Sequence, residues 1–301
     1  ANGIRQMSPK LHPSIDLFVR NKPVFVTASG PLTYENGCNQ AQSWADCLMV
    51  DFEHAPFDTL GLQEFIKGLI DGGPTPTGYR MPTVVATVPA NCRTRVEVES
   101  NAWQIRHVLS SGVHGVLHTH AREADAVSAF VEACRYPFQD VSGVSTLGEG
   151  QRGAGGQDRP AALWGMTSAE YLKAADPWPL NPEGQLLLGI KLEDRHCLAN
   201  VDAITQVAGI AFAEWGPGDM GMSFGQPESH DPPYGAEMEE ARKRVKSACD
   251  KNGIRFLSSW NDAQQDAATN LTTLLKWGVD LVVSDTSDLK QAALTEGQRE
   301  I

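Results

Sequence analysis

The sequence predicts a single α/β domain, a (β/α)8 TIM barrel. Three observations favour this architecture. Eight short apolar runs alternate with stretches whose apolar residues recur at helical spacing, which is the pattern of βα units around a parallel sheet. Each run is almost wholly apolar, as expected for strands that are buried on both faces. The length of 301 residues suits one such barrel.

The predicted strands and helices extend over nearly the whole chain. The strands are PVFVTAS (23–29), CLMVDF (47–52), TVVATVP (83–89), GVLHTH (115–120), LLLGIKLE (186–193), GIAFAEW (209–215), IRFLSSW (254–260) and LVVSD (281–285). The amphipathic helices between them are 62–70, 102–112, 124–134, 201–208, 236–253 and 263–278. We therefore expect one domain over residues 1–301, with an N-terminal extension to about residue 20 and a C-terminal helix at about 286–301.

One segment departs from the regular alternation. Residues 137–165 are rich in glycine and polar residues and lie between the fourth and fifth strands. A long loop of this kind inside a compact domain is usually functional or disordered. Its GEGQRGAGG stretch (148–156) fits neither of the common glycine-rich nucleotide motifs. We expect the loop to present Arg152 over the barrel, where a guanidinium can grip a carboxylate.

Composition excludes several classes of function. The formal net charge of -12 disfavours nucleic acid and anionic membranes as partners. No run approaches the ~18 consecutive apolar residues of a membrane span. The six cysteines form no CxxC pairs and are expected to be reduced, mostly buried thiols. The amino-terminal segment has no apolar signal region, so a cytoplasmic location is expected.

Two carboxylates lie at the carboxyl ends of predicted strands. This end of the barrel, here called the mouth, carries the active site in TIM-barrel enzymes. Glu193 ends the fifth strand, and Asp219 follows the sixth strand after a Gly-Pro-Gly stretch. Carboxylates at close range repel each other unless a cation lies between them or one is protonated. An all-oxygen site suits Mg²⁺ or Mn²⁺ better than Zn²⁺. The alternative is that both are helix caps or solvated strand ends.

Histidines follow two other strands. In VDFEHAPFD (50–58), Asp51 precedes His54, and a histidine beside a carboxylate is the usual construction of a general base. The alternative is that His54 only fills a loop. The HTH stretch ends at His120, which lies nearer the mouth than His118. Two histidines at this spacing on a strand can bind a metal, although no further histidines complete a zinc site.

Six segments in this order resemble the HpcH/HpaI aldolase family, the metal-dependent 2-oxo-3-deoxy acid aldolases that include macrophomate synthase. They are DFEHAPFD, GVLHTHAREADA, GEGQRGAGG, LGIKLED, ANVDAITQVAGI and WGPGDMGMSFG. The resemblance, from about Pro23 to Asp285, implies a divalent metal held by Glu193 and Asp219. Mg²⁺ or Mn²⁺ is expected, with Co²⁺ or Zn²⁺ as alternatives.

The resemblance also implies a mechanism and an assembly. His54, oriented by Asp51, would be the acid/base, with His120 and Arg152 as further catalytic candidates. The metal would stabilise an enolate as a carbon–carbon bond of a small 2-oxo acid breaks or forms. Family members form homo-oligomers, from dimers that exchange a terminal helix up to hexamers.

The sequence departs from the family at the third strand, where an arginine near the pyruvate is replaced by Thr87. A threonine cannot supply the bidentate, permanently charged grip of a guanidinium. Either Arg93, Arg95 or Arg152 replaces this charge, or the substrate is not an ordinary pyruvate enolate. On the fourth strand, the family's usual proline is Thr119, whereas His120 is kept.

Three functional hypotheses follow. The first is an aldolase-type, metal-dependent carbon–carbon lyase. The second keeps the metal but takes a non-pyruvate, aromatic or acyl-thioester substrate, or decarboxylates it. Thr87 and the aromatic residues Trp215 and Trp260 favour this hypothesis, and Gly218 would let a ligand approach the backbone. The third is a barrel without catalysis that serves as a binding protein, against which the retained carboxylates argue.

Overall fold

The computed structural model describes residues 9–300, which form a closed barrel of eight parallel strands. Neighbouring strands pair in chain order, and the last pairs with the first. The strands are Val24–Ala28 (β1), Cys47–Val50 (β2), Thr83–Ala86 (β3), Gly115–His118 (β4), Leu187–Lys191 (β5), Phe212–Glu214 (β6), Arg255–Ser258 (β7) and Leu281–Val283 (β8). The predicted barrel is confirmed, and each strand is shorter than predicted.

Thirteen helices surround the barrel in the part of the chain that the structure describes. They are Ser14–Val19 (α1), Tyr34–Gln40 (α2), Thr59–Asp71 (α3), Arg95–Ser100 (α4), Ala102–Ser110 (α5), Ala124–Cys134 (α6), Asp158–Trp164 (α7), Ser168–Ala174 (α8), Arg195–Thr205 (α9), Pro217–Ser223 (α10), Ala236–Lys251 (α11), Ala267–Lys276 (α12) and Asp288–Thr295 (α13). All six predicted helices are present. Helix α9 begins six residues earlier than predicted, because the Asp194 carboxylate caps it by accepting from two backbone N–H groups.

The barrel is plugged at the amino-terminal ends of its strands, here called the closed end. Leu17 and Phe18 of α1 are buried with the inward-facing strand residues. Trp178 stacks on Phe18 with ring centroids 6.0 Å apart, and the guanidinium of Arg255 lies over both rings. Part of the predicted N-terminal extension is therefore a plug that fills this end of the barrel interior.

The glycine-rich segment lies at the closed end. Residues 137–165 are not one long loop, because they include α7. They follow α6, which starts at the mouth and runs back along the barrel, and the backbone N–H of Arg152 donates to the carbonyl of Arg135 just beyond that helix. The guanidinium of Arg152 donates to the Tyr171 hydroxyl at 2.7 Å and lies over the ring of Tyr136. The prediction that Arg152 lies over the mouth is wrong, since a segment that follows a helix returns to the opposite end.

The C-terminal helix packs on its own barrel. The predicted helix at 286–301 is α13, and Lys290 and Arg299 both contact the buried carboxylate of Asp46, at 3.5 Å and 2.5 Å. Exchange of this helix between subunits stays a prediction. Within residues 9–300, no helix combines the length and apolar character needed to cross a membrane.

Candidate active site

Four side chains with metal-ligand chemistry meet at the mouth. They are Glu53 after β2, His120 after β4, Glu193 after β5 and Asp219 in α10, and one donor atom of each lies within 4.8 Å of the others. Carboxylate oxygens and an imidazole nitrogen are common ligands of divalent cations. The structure thus brings together Glu193, Asp219 and His120. It also adds Glu53, which was not predicted to be a metal ligand.

The environment of Glu193 fits a bound cation. Its side chain is 1% exposed, and its Oε1 atom has no hydrogen-bond partner. Burial raises the pKa of Glu193 well above its ordinary value; Lys191 opposes this effect, while Glu214 and Asp219 add to it. A buried, unpartnered carboxylate oxygen is costly unless a proton or a cation satisfies it. The residues present therefore fit a divalent metal ion.

The Gly-Pro-Gly stretch begins a helix. Gly216 is the N-cap of α10, and Pro217 occupies the first helical position, where its missing N–H and fixed φ are no disadvantage. The backbone of Gly216 is an ordinary extended one (φ -90°), so its conformation does not require glycine. Close approach does, because a Cβ atom at this position would lie 2.3 Å from Oε2 of Glu193. Asp219 stands in the first turn of this helix, where a carboxylate is favoured.

Asp51 and His54 form a hydrogen-bonded pair beside this cluster. The Asp51 carboxylate accepts from the backbone N–H groups of Glu53 and His54, at 2.9 Å and 3.0 Å, and lies 2.9 Å from Nδ1 of His54. The hydrogen bond to Asp51 raises the pKa of His54. We assign the Nδ1 proton to this bond, which leaves Nε2, 3.8 Å from the Glu53 carboxylate, to exchange a proton. The side chain of His54 is 67% exposed, so a substrate can reach it.

Thr87 supports the turn that carries this pair. Its buried hydroxyl oxygen accepts from the backbone N–H groups of Phe52 and Glu53, at 2.9 Å and 3.0 Å, and donates to Asp51 at 3.4 Å. The hydroxyl thereby uses its donor and both acceptor positions within the protein. Thr87 as a substrate-binding residue stays a prediction; within the protein its hydroxyl positions the turn that carries Asp51 and His54.

Lys191 lies at the site although it was not predicted to. It ends β5 opposite Glu214, and its Nζ atom lies 2.5 Å from the Glu53 carboxylate. Burial alone would lower the pKa of Lys191, but Glu214, Glu193 and Glu53 together raise it. Alternation along a strand puts residues 191 and 193 on one face, and this pattern could have identified the lysine.

His120 is held in an unusual backbone conformation. Its φ of 50° lies in the left-handed region, which is uncommon for residues other than glycine and often marks a functional site. Its Nδ1 atom has no hydrogen-bond partner and lies 3.8 Å from Glu193 Oε1 and 3.5 Å from the carboxylate of Asp194. Asp194 is bound in turn to Arg122 at 2.9 Å. Two unpartnered buried atoms, one on His120 and one on Glu193, therefore face each other.

Comparison with known proteins agrees with this geometry. The model of the HpcH/HpaI aldolase/citrate lyase family matches residues 24–285. The chain belongs to this family. The hydroxypyruvate/pyruvate aldolase of Paraburkholderia phytofirmans is 26% identical over 216 residues, which are 71% of this chain and 70% of that protein. A 2-keto-3-deoxy-L-rhamnonate aldolase of Escherichia coli is 26% identical over 260 residues, 86% of this chain and 84% of that protein.

Solved structures of the HpcH/HpaI family share the fold. A family protein from Burkholderia cenocepacia superposes with a TM-score of 0.67 at 22% identity, covering 93% of this chain and 96% of that one. Macrophomate synthase superposes with a TM-score of 0.62 at 18% identity, covering 94% of this chain and 85% of that one. The prediction of an aldolase-type carbon–carbon lyase is confirmed at the level of the family.

The other predicted site residues are Trp215, Trp260 and Gly218, and all three lie outside the donor cluster. Trp215 is 1% exposed and packs edge to face against Tyr234, so its ring offers a substrate no surface. Trp260 is partly buried against the other side of Tyr234, with Arg242 over its ring. Gly218 lies within α10, one residue before Asp219. Both tryptophans contact Tyr234, and neither belongs to the donor cluster.

A cavity of about 430 Å³ opens beside Asp51. Its walls are mostly apolar and include Pro31, Leu32, Met49 and Phe52. Apolar walls with a few polar groups at one end are usual for a small-molecule site. Of the acid/base pair and the four donors, Asp51 alone lines this cavity, so it adjoins the donor cluster without including it.

Proposed function

We propose that the chain is a divalent-metal-dependent carbon–carbon lyase that breaks or forms an aldol bond of a 2-oxo acid. One observation carries the proposal most directly. The buried, unpartnered carboxylate oxygen of Glu193 stands in a group of donors with Asp219, His120 and Glu53. The activities named for the relatives, on hydroxypyruvate, pyruvate and 2-keto-3-deoxy-L-rhamnonate, agree with a 2-oxo acid substrate.

The proposed mechanism assigns a task to each group. Glu193 and Asp219 would hold the metal, with His120 and Glu53 as further donors. A bound divalent ion supplies Lewis-acid stabilisation of the negative charge that develops on the carbonyl oxygen. In cleavage, Nε2 of His54 takes the proton of the aldol hydroxyl as the carbon–carbon bond breaks, and the reverse transfer serves synthesis.

The other residues keep that proton transfer in place. Asp51 fixes the tautomer and orientation of His54. The Thr87 hydroxyl accepts from the backbone N–H groups of Phe52 and Glu53 and so fixes the turn that carries both residues. Each of these tasks follows from a contact within the protein.

Isosteric substitutions at the two carboxylates test the proposal. Glu193→Gln and Asp219→Asn keep side-chain shape but remove a charged oxygen, so Mn²⁺ affinity in a calorimetric titration should fall at least 10-fold. Retro-aldol turnover should fall with it and should be abolished by EDTA in the unaltered protein. Glu64→Gln in α3 is the matched control, because Glu64 is 57% exposed and its ion-pair partner is Lys67. Turnover that survives EDTA and both substitutions would contradict the proposal.

A second candidate function keeps the metal-dependent chemistry but uses a donor substrate other than a 2-oxo acid. It is favoured by Thr87, which stands where the resemblance implies an arginine and whose hydroxyl is fully used within the protein. Pyruvate, hydroxypyruvate and an acyl thioester offered with a common aldehyde distinguish the candidates by their kcat/KM values. A thioester that is the best donor would support the second candidate, and a preferred 2-oxo acid would support the first.

The native metal, with Mg²⁺ or Mn²⁺ expected, stays a prediction. Assembly into a homo-oligomer and a cytoplasmic location also stay predictions.

A further inference from the structure

Lys191 is a buried cation among the carboxylates of the mouth. Its side chain is 12% exposed and that of its partner Glu53 is 10% exposed, although lysine is ordinarily a surface residue. The Nζ atom lies 2.5 Å from Oε2 of Glu53, and Glu214 stands opposite Lys191 in the strand register. The lysine is therefore held between β2, β5 and β6, two residues before Glu193.

The ammonium of Lys191 has bonding capacity to spare. An ammonium carries three N–H donors, and Glu53 is its one hydrogen-bond partner among residues 9–300. Two donors are left on a side chain at the proposed metal site. Glu53 holds the flexible lysine side chain in one position, so the ordering cost of binding a ligand there is already met in part.

Two of the three arginines considered as replacements for the missing guanidinium are bound elsewhere in the protein. Arg95 binds Glu132, Asp125 and Glu99 in the helix layer. Arg152 lies at the closed end, against Tyr171. Arg93 lies in the segment between β3 and α4 and is the rival that an experiment has to separate from Lys191.

We propose that Lys191 is the substrate-binding cation of this mouth and that its ammonium binds an oxyanion of the 2-oxo acid substrate. The proposal rests on the proposed function, because it assumes a 2-oxo acid held beside Glu193 and Asp219. The positive charge thereby comes from β5, whereas the resemblance implies an arginine on β3. An ammonium is a compact point charge and contacts one oxygen, whereas a guanidinium grips a planar carboxylate through two.

Binding of oxalate, a small dicarboxylate that mimics a 2-oxo acid enolate, tests the proposal without relying on turnover. Oxalate is titrated calorimetrically into the Mn²⁺-loaded protein, and Mn²⁺ is titrated alone. Lys191→Gln keeps a neutral donor for Glu53 but removes the charge, so oxalate affinity should fall about 10- to 100-fold, the usual worth of a charge-assisted hydrogen bond. Mn²⁺ affinity without oxalate should not fall, because the substitution removes a positive charge from the site.

Two further variants make the result specific. Lys191→Arg keeps the charge and should lose less oxalate affinity than Lys191→Gln. Arg93→Gln removes the rival cation and should change oxalate affinity less than twofold. In steady-state assays, Lys191→Gln should raise KM for the 2-oxo acid in proportion to the loss of oxalate binding.

The outcomes separate this inference from the proposed function. Unchanged oxalate affinity in Lys191→Gln, with normal Mn²⁺ binding, overturns the role of Lys191 even if the protein is an active aldolase. Loss of oxalate binding in Arg93→Gln instead of Lys191→Gln overturns it as well. If aldol turnover is absent but Lys191→Gln loses oxalate binding, the proposed reaction fails and the anion-binding role of Lys191 stands.

Discussion

Gly216→Ala tests the proposed metal site directly, because the added methyl group would clash with the carboxylate of Glu193. The new Cβ atom would lie 2.3 Å from Oε2 of Glu193 and 3.3 Å from its Cβ. The backbone at position 216, with φ -90° and ψ 108°, suits alanine without strain. The collision with Glu193 is therefore the main effect of the substitution.

The size of the effect follows from the distance. Ordinary van der Waals contact begins at 3.4 Å, so the carboxylate has to move by about 1 Å. A misplacement of about 1 Å at a catalytic group costs about 100-fold in rate, or about 2.7 kcal/mol of transition-state stabilisation. We expect kcat/KM to fall about 100-fold, with weaker Mn²⁺ binding and an unchanged circular dichroism spectrum.

Kinetics and metal titration of two variants provide the assay. Gly153→Ala is the matched control, because a Cβ atom there has no neighbour within 4 Å and residue 153 lies in the segment at the closed end. If Gly216→Ala stays within twofold of the unaltered protein in both Mn²⁺ affinity and kcat/KM, the observed position of the Glu193 carboxylate is not needed for activity. The proposed metal site would then be refuted.

Three further predictions concern Asp51, Arg152 and His12. Asp51→Asn should lower the pKa of His54 towards its ordinary 6.5, since it replaces the carboxylate that raises this pKa with a neutral amide; an NMR titration of the metal-free protein that shows no decrease would contradict the pairing. Arg152→Leu should reduce the free energy of unfolding by about 1–2 kcal/mol, measured by chemical denaturation, and should leave kcat/KM within twofold. A large loss of activity would contradict the placement of Arg152 at the closed end. Burial lowers the pKa of His12 to about 4, so the unfolded chain binds the extra proton between pH 6.5 and 4. Stability should therefore fall as pH falls through this window, by about 3 kcal/mol for this group at about 1.36 kcal/mol per unit. Urea midpoints that stay constant from pH 7 to pH 4 would refute this account.

The barrel could be predicted from sequence because strands buried on both faces leave apolar runs that little else produces. Glu193 and Asp219 could be placed at the mouth because they follow the fifth and sixth apolar runs closely, whereas their expected role as metal ligands came from the family resemblance. Helix α10 was not predicted, although Pro217 in the first helical position of the structure is a known start signal. Helix α2, YENGCNQ, has almost no apolar periodicity, so the sequence pattern could not reveal it.

The errors at the site also have physical causes. Arg152 was assigned to the mouth although its segment follows the predicted helix 124–134, and a chain that has just run down a helix has returned to the closed end. Lys191 was missed because a lysine at a strand end is usually solvated. Only the structure shows that the Glu53 carboxylate, in the turn after β2, binds the ammonium of Lys191. The task of Thr87 depends on three contacts with the turn after β2, which no local pattern encodes.

The donors are distributed unevenly around the rim of the barrel. Glu53, His120, Glu193 and Asp219 come from the connections after β2, β4, β5 and β6, and Thr87, the residue after β3, binds the backbone N–H of the first of them. In the described part of the chain, β7, β8 and β1 contribute no donor to the group. An ion bound by these four residues would act as a cross-brace over five neighbouring strands, and its binding energy would add to their resistance to local unfolding. The barrel would then have one rim stabilised by its bound ion, whereas the opposite rim, formed by β7, β8 and β1, would gain no such stabilisation.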